Sequence, residues 1–413
     1  MKIFSGPSAA AVVAKLAARS ARLDSFEPRV QSIVSAVRRG GDRALRRYAE
    51  RWDGVCSNQP LRVSAGEIRQ GWSSTSPEVR EALIRSARNI QQFCEWQKPV
   101  AWTRVRNGMS LGQIVIPLDS VGCYVPGGRH ALVSTLLMTV IPAQIAGVRE
   151  IRVVSPNPSA EILAACSMLG VRELYRVGGA QAIAALAYGT KTIPRVDKIV
   201  GPGNVYVTAA KKLVSSDCAI DIVAGPTEAV VLSESGNPQF IAADLVSQAE
   251  HDPEALSVFI TTSRKLAGEA SLEIKRWAQT NRIANESIKR RGAILLARSR
   301  KQARDWANLI APEHITISED DLPFIRNAGS IFVGDYSPQA AGDYASGPNH
   351  VLPTSGQARF RGGLSVLDFV KLVTVQKLSQ NGLQKIARTV ECLAEIEGLQ
   401  AHAESIRTRC ANA

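Results

Sequence analysis

The sequence contains five histidines, and two of them stand beside a residue that could share chemistry with them. His251 follows Gln248 by three positions, so a helix or a tight turn would place both side chains on one face. His314 follows Glu313 directly. Two titratable groups of different pKa can divide general-acid and general-base work, so this pair is a candidate for proton transfer.

A zinc site is the second chemistry that these side chains allow. Neutral imidazole and carboxylate are the usual nitrogen and oxygen ligands of zinc. Gln248 and His251 supply two ligands at most, and Asp343 and His402 are candidates for the others. No dense motif such as H-E-x-x-H is present, so each histidine taken singly fits a surface or hydrogen-bonded role as well. Spacing nominates the site without proving it.

Glycine-rich turns follow three of the predicted strands. Glycine lets the backbone approach a ligand closely, and a following helix offers N–H groups to phosphate. Two of these turns also carry an amide, Gln181 or Asn204. None matches G-x-G-x-x-G, so the pattern favours a nucleotide site but does not separate NAD from another phosphate ligand. The turns are PGG (126–128), GGAQ (178–181) and GPGN (201–204).

The predicted secondary structure around these residues changes from helices alone to alternating strands and helices along the chain. The N-terminal part has apolar residues at helical spacing. From residue 120 onward, short apolar runs alternate with helix-length segments, which is typical of parallel strands with crossover helices. The first series of runs is 121–125, 151–154, 174–177, 198–200 and 219–223, and the second is 229–232, 256–261, 293–296, 314–317 and 330–333.

These two series predict an α/β fold with two doubly wound, incomplete Rossmann-like sheets. We expect a helical N-terminal part and a small helical segment after Ser365, broken at Gly398. The expected division is an N-terminal segment (1–20), a first α/β domain (21–123 plus 227–364), a second, Rossmann-like domain (124–226) and a C-terminal helical tail (365–413).

Composition sets the remaining limits. A chain of 413 residues with 45% hydrophobic residues can fill two or three cores. The seven cysteines are odd in number and form no C-x-x-C pair, which favours reduced thiols in a cytoplasmic protein. No signal peptide or membrane-spanning run is visible. The net charge of +13 is dispersed and only 5% of residues are aromatic, so we expect no nucleic-acid or membrane partner.

Several segments, taken in order, resemble histidinol dehydrogenase. The resemblance covers about residues 20 to 407, and its two longest motifs are highly specific. The segments are YVPGG (124–128), GGAQAIAALAYGT (178–190), VGPGN (200–204), SQAEHD (247–252), APEH (311–314), GDYASGPNHVLPT (342–354), GLSV (363–366) and EGLQAH (397–402).

The resemblance implies an NAD-dependent enzyme that oxidises L-histidinol to L-histidine through the aldehyde, consuming two NAD, as the last steps of histidine biosynthesis. It implies that His314 takes the proton of the alcohol and that Glu313 activates the water that hydrates the aldehyde. The implied ligands of one zinc per subunit are Gln248, His251, Asp343 and His402. The implied substrate contacts are Thr227, Gln248, His251, His314, Asp343, His350, Glu397 and His402, and the implied NAD contacts are Tyr124, Gln181 and Asn204.

The family is a homodimer in which the C-terminal segment reaches the partner's active site, so the resemblance implies that Glu397 and His402 act in trans. One departure is visible: Thr227 stands where the family usually has serine, which retains the hydroxyl and adds a methyl group.

Three alternatives stay open at this point. A related dehydrogenase of another alcohol, such as a sulfonated propanediol, would share the zinc and NAD machinery. An anionic substrate would gain nothing from Glu397, which favours histidinol. A basic, non-catalytic binding protein would not need the Glu313-His314 pair. A zinc hydrolase would not need three glycine turns.

Overall fold

Fourteen strands and fifteen helices are formed by the residues that the computed structural model describes, which are 1–20, 23–127 and 132–411. Gly128 of the first glycine turn and His130 lie outside these residues. The strands are β1 (Lys2–Ser5), β2 (Trp102–Arg106), β3 (Met109–Pro117), β4 (Ser120–Tyr124), β5 (Glu150–Val154), β6 (Glu173–Tyr175), β7 (Lys198–Val200), β8 (Ala219–Ile220), β9 (Glu228–Leu232), β10 (Leu256–Thr261), β11 (Ala293–Leu296), β12 (His314–Ile317), β13 (Ser330–Val333) and β14 (Val370–Leu378).

The helices surround the sheets, except for a pair at the C-terminus. They are α1 (Gly6–Ala17), α2 (Glu27–Trp52), α3 (Ala65–Ser74), α4 (Pro77–Gln97), α5 (Val133–Ala146), α6 (Ala160–Met168), α7 (Gly179–Tyr188), α8 (Val205–Val214), α9 (Pro238–Ala249), α10 (Arg264–Ala278), α11 (Arg282–Arg291), α12 (Arg300–Ile310), α13 (Gln339–Tyr344), α14 (Gln380–Ile396) and α15 (Gln400–Ala411). None of them, within the described parts of the chain, is both long and apolar enough to cross a membrane.

The first series of predicted strands forms a five-stranded parallel sheet in the order β6-β5-β4-β7-β8. The chain starts at β4, moves outward through β5 and β6, and then returns to the other side of β4 with β7. The order therefore reverses between β4 and β7. In an open parallel sheet, ligands bind outside the carboxyl ends of the strands at such a switch point.

The second series forms a six-stranded parallel sheet in the order β1-β11-β10-β9-β12-β13. Its central strands β9, β10 and β11 are buried along their whole length, as expected where helices cover both faces. The two doubly wound sheets are confirmed. The edge strand β1 comes from the N-terminal residues, where the sequence predicted no strand.

A third, antiparallel sheet in the order β14-β3-β2 was not predicted. The predicted helical segment at the C-terminus is present as α14 and α15, and Gly398 separates them with a φ of +74°. The residues between Ser365 and α14 are not helical throughout, since they include β14. These two helices pack mainly on each other. They form a helical hairpin that follows β14 of the antiparallel sheet in the chain. All seven cysteines are free.

Candidate active site and cofactor cleft

Glu313 and His314 lie where β12 begins, beside the first residues of β9. The Glu313 carboxylate accepts a hydrogen bond from the backbone N–H of Glu228, 2.9 Å from its Oε2. Glu228 is itself held by Arg19, whose Nε donates to Oε1 at 2.6 Å. Both members of the pair are buried. The sheet and a partly buried ion pair therefore fix the position of the Glu313 carboxylate.

The two side chains change each other's proton affinity. Burial raises the pKa of Glu313 to about 8, although the neighbouring His314 and the Glu228 N–H oppose this. Burial would lower the pKa of His314, but the nearby carboxylates of Glu313 and Asp343 outweigh it and raise that pKa. His314 Nδ1 lies 3.8 Å from Glu313 Oε2, and Nε2 lies 3.4 Å from Asp343 Oδ1. The arrangement suits groups that exchange protons near neutral pH.

Asp343, on the short helix α13, connects the remaining polar groups of this site. Gln248 Nε2 donates to Asp343 Oδ2 at 2.7 Å, from the last turn of α9. The imidazole Nδ1 of His350 lies 2.8 Å from the backbone oxygen of Asp343. Burial would raise the pKa of Asp343, but its hydrogen bond with His314 and the nearby histidines lower it. Gln248 and His314 thus meet at the Asp343 carboxylate, and His350 contacts the backbone of the same residue.

His251 stands at the edge of this group. It follows the end of α9, and its backbone N–H donates to the Gln248 carbonyl at 3.4 Å. Its side chain is exposed, yet it is close enough to His350 to contribute to the lowered pKa of that histidine, after burial as the main cause. The His251 side chain therefore lies near His350, at the border of the cluster around Asp343.

A zinc ion fits this donor set only in part. Oxygen and imidazole nitrogen are ligands that zinc accepts, and the buried Nδ1 of His314 has no hydrogen-bond partner among the described residues. Within those residues, however, no group of three His, Cys, Asp or Glu side chains is placed to hold a metal ion. Gln248, Asp343 and His251 can contribute to a site that one chain leaves incomplete.

Three predicted residues lie apart from this cluster. Glu397 directly follows α14 and His402 lies in α15, and both side chains are exposed on the C-terminal hairpin. No hydrogen bond or ion pair joins either of them to Gln248, His251 or Asp343 in the described parts of the chain. Thr227 immediately precedes β9 and is half-buried, next to Glu228. One chain by itself does not bring the complete predicted set together.

A cleft of about 700 Å³ opens at the switch point of the first sheet. The predicted cofactor residues Tyr124, Gln181 and Asn204 all line it, at the end of β4, in the first turn of α7 and at the N-cap of α8. Helix α2 closes it on another side with Arg29, Trp52 and further residues. The volume is within the range of small-molecule and cofactor sites.

The helix N-termini in this cleft are already occupied by protein groups, which sequence reasoning did not foresee. The Asp53 carboxylate accepts hydrogen bonds from Gly178 N at 3.1 Å and Gln181 Nε2 at 3.0 Å. The Tyr124 hydroxyl accepts from Gly179 N at 3.0 Å. The Asn204 side chain caps α8. Asp53 ends an amphipathic helix, and nothing in the local sequence marks it as part of a ligand site.

Comparisons with known proteins extend this likeness over nearly the whole chain. A family model described as histidinol dehydrogenase matches residues 16–410. The histidinol dehydrogenase of Methanothermobacter thermautotrophicus is 50% identical over 400 residues, covering 92% of each chain. That of Aquifex aeolicus is 44% identical over 395 residues, covering 94% of this chain and 93% of the relative. The crystal structure of histidinol dehydrogenase from Elizabethkingia anophelis has a TM-score of 0.94 at 33% identity, covering 100% of this chain and 98% of that one.

Proposed function

The chain belongs to the histidinol dehydrogenase family, and we propose that it oxidises L-histidinol to L-histidine through the aldehyde, with two NAD as electron acceptors and one zinc per subunit. The observation that carries this proposal is the cluster around Asp343. Gln248 and His314 both contact its carboxylate, and Glu313 lies beside His314. A proton-transfer pair and candidate metal ligands thus lie within one buried region.

His314 is the base that takes the proton of the alcohol hydroxyl while the carbon loses hydride. A histidine beside two carboxylates is a stronger base than an isolated one, because the negative charges stabilise its protonated form. Glu313 then activates the water that hydrates the aldehyde. Its pKa of about 8 lies close to a working pH near neutrality, which suits a general base.

Gln248, His251 and Asp343 would hold the zinc ion, with the partner subunit's His402 as the fourth ligand. When bound, zinc supplies a template and Lewis acid for the amino alcohol. Asp343 then has a double task, because its carboxylate also orients His314 through the 3.4 Å contact. Gln248 already lies against the same carboxylate, so two ligand side chains need no large movement to share one ion.

Substrate recognition falls on Thr227, His350 and Glu397 in this proposal. Glu397 provides a negative charge that complements an amino-imidazole substrate and would repel a sulfonated one. His350 is oriented by the backbone oxygen of Asp343 and by Thr135, whose Oγ1 lies 3.4 Å from Nε2. The cleft at Tyr124, Gln181 and Asn204 is the proposed NAD site.

A homodimer would complete this site. Glu397 and His402 are on a hairpin whose packing is mainly internal, so they are available to a second subunit. Apolar side chains are exposed on the adjoining antiparallel sheet and on the hairpin, including Leu372 and Leu393. Seven free cysteines agree with the reducing cytoplasm, where we place the enzyme.

The reaction is tested by following NADH absorbance with purified protein, Zn²⁺ and NAD. We expect two NADH for each L-histidinol consumed and no turnover of a sulfonated propanediol. A yield of one NADH per L-histidinol, or preferential oxidation of the sulfonated diol, would contradict the proposal.

A further inference from the structure

Asp53 reaches the cofactor cleft from outside the sheet that forms it. It follows the last residue of α2, where the negative end of the helix dipole disfavours a carboxylate. Its Oδ2 lies instead at the start of α7, where Gly178 N and Gln181 Nε2 both donate to it. There the positive end of a helix dipole favours the charge, although burial outweighs the two hydrogen bonds and raises the pKa of Asp53. The carboxylate therefore lies where a phosphate would otherwise bind.

The charge of Asp53 is not neutralised by a basic side chain. Across residues 1–20, 23–127 and 132–411, no lysine or arginine forms an ion pair with it, and no hydrogen bond reaches its Oδ1. The two donors that hold Oδ2 are neutral. One carboxylate oxygen therefore keeps its capacity to accept a hydrogen bond on the wall of the cleft.

The surrounding donors leave little to attract an additional phosphate near Asp53. The Tyr124 hydroxyl occupies the Gly179 N–H, and the Asn204 side chain occupies the first amides of α8. Arg29 is the one cationic residue among the described residues that line the cleft. It donates to the Tyr206 hydroxyl at 3.2 Å, beside α8 rather than beside Asp53. The wall at Asp53 thus favours hydroxyl donors and disfavours anions.

We infer that Asp53 is a cofactor-selectivity residue: it accepts a ribose hydroxyl of NAD and excludes a dinucleotide that carries a 2′-phosphate. A carboxylate accepts hydrogen bonds from ribose hydroxyls, whereas a phosphate ester at the same place adds like charge. This inference rests on the proposed NAD-dependent function. It assigns the selection between NAD and NADP to the residue that follows α2, and not to the loops at the ends of the strands.

The test compares kcat/KM for NAD and NADP in the wild type and in Asp53→Asn and Asp53→Ser, with L-histidinol at saturation. Asparagine keeps an acceptor for Gly178 N without the charge, and serine removes most of the side chain. We expect the ratio of NADP to NAD efficiency to rise by about tenfold or more in both variants, the scale of one like-charge contact. Equal losses with both cofactors would mean a structural role and would overturn the inference.

Asp42→Asn is the matched control. Asp42 lies on the same helix and also holds a loop, since it accepts from Thr192 N and Thr192 Oγ1 at 3.2 and 2.7 Å, but it does not line the cleft. Its replacement should leave the ratio of kcat/KM for NADP to kcat/KM for NAD unchanged.

Calorimetric binding of NADH and NADPH to the wild type distinguishes failure of the proposed reaction from failure of the proposed role of Asp53. A wild type that prefers NADH but does not oxidise L-histidinol would contradict the proposed reaction, whereas wild-type binding without preference would overturn the role of Asp53.

Discussion

Glu313 and His314 are adjacent in sequence and yet receive opposite effects from burial. Removal from water disfavours the charged form of each, so it raises the pKa of the acid and would lower that of the base. Their proximity reverses the second effect, and the pKa of His314 is raised. A proton can therefore reside on either group at little cost, which is what two successive steps with different proton demands require.

Replacement of Glu313 by glutamine tests its separate role. Glutamine keeps the size and an oxygen for the Glu228 N–H but cannot accept a proton. We expect kcat for conversion of L-histidinol to L-histidine to fall by about 10²- to 10⁴-fold, the usual contribution of a general base. Glu319→Gln, an exposed glutamate just after β12, is the control and should behave as wild type. Unchanged L-histidine formation by Glu313→Gln would refute the assignment.

At the scale of elements, the parallel strands were predictable because burial on both faces leaves continuous apolar runs. The antiparallel strands carry no such signal. All five residues of β2 are exposed, and so are seven of the nine in β14. Solvent on both sides removes the alternation that identifies a half-buried strand. The edge strand β1 has four residues and is defined only by its pairing with β11.

The same distinction applies to the cofactor cleft. Gln181 and Asn204 were predictable because the carboxyl ends of parallel strands meet at one edge of a sheet. Asp53 was not, because only the packing of α2 against α7 brings it there. Sequence spacing likewise nominated Gln248 with His251, whereas the contact of Gln248 with Asp343 depends on how α9 and α13 pack.

Gly201 lies in the turn that leads from β7 to Asn204, a residue that lines the proposed NAD cleft. Its φ is +115°, and a Cβ there would lie 2.2 Å from the Tyr124 carbonyl oxygen. We expect Gly201→Ala to destabilise the fold by more than about 2 kcal/mol and to weaken NADH binding, because backbone strain and a steric clash add together. Gly170→Ala is the control: its φ is also positive, at +67°, but the space around it is open. Thermal unfolding and NADH titration compare the stability and the NADH affinity of the two variants. Equal effects would show that crowding at Gly201 is unimportant.

The turn after β12 provides a test of acid stability. Burial would raise the pKa of Asp321, but hydrogen bonds from Arg300, Ser318 and Arg304 outweigh it and lower that pKa. The folded protein therefore binds this proton more weakly than the unfolded chain does. Its stabilising contribution is present above the unfolded value of about 3.9 and is lost as the pH falls through the lower folded value.

Asp321→Asn should consequently reduce the free energy of unfolding by about 2 kcal/mol at pH 7. Below about pH 4 the free energies of unfolding of the variant and the wild type should become more similar. Urea unfolding at several pH values measures this. The exposed neighbour Asp320 makes one long contact with Arg300, at 3.4 Å, so Asp320→Asn should have little effect. If Asp321→Asn lowered the free energy of unfolding by the same amount at every pH, protonation of Asp321 would not be coupled to stability.

At the scale of the whole molecule, the C-terminal hairpin is the part that a single chain explains least well. Leu393 and Ile396 on α14 are exposed, and so are Ile114, Leu372 and Val375 on the antiparallel sheet. Exposed apolar side chains on both faces of a sheet and on the helix joined to it are typical of an interface between proteins. Because Glu397 and His402 follow directly on this surface, a dimer interface and a completed active site would form in the same event.

Heterodimers of defined composition can decide whether the hairpin acts in trans. A dimer that pairs a Glu313→Gln chain with a His402→Ala chain contains, if the hairpin is exchanged, one site with both groups intact. A dimer that pairs the double variant with wild type then contains none, because each site receives one defect. If each hairpin served its own chain, the second dimer would have the intact site and the first would have none. We therefore expect L-histidinol oxidation at about half the wild-type rate per dimer in the first combination and almost none in the second, measured on dimers purified through two different affinity tags. The reverse result would place His402 in its own subunit's site.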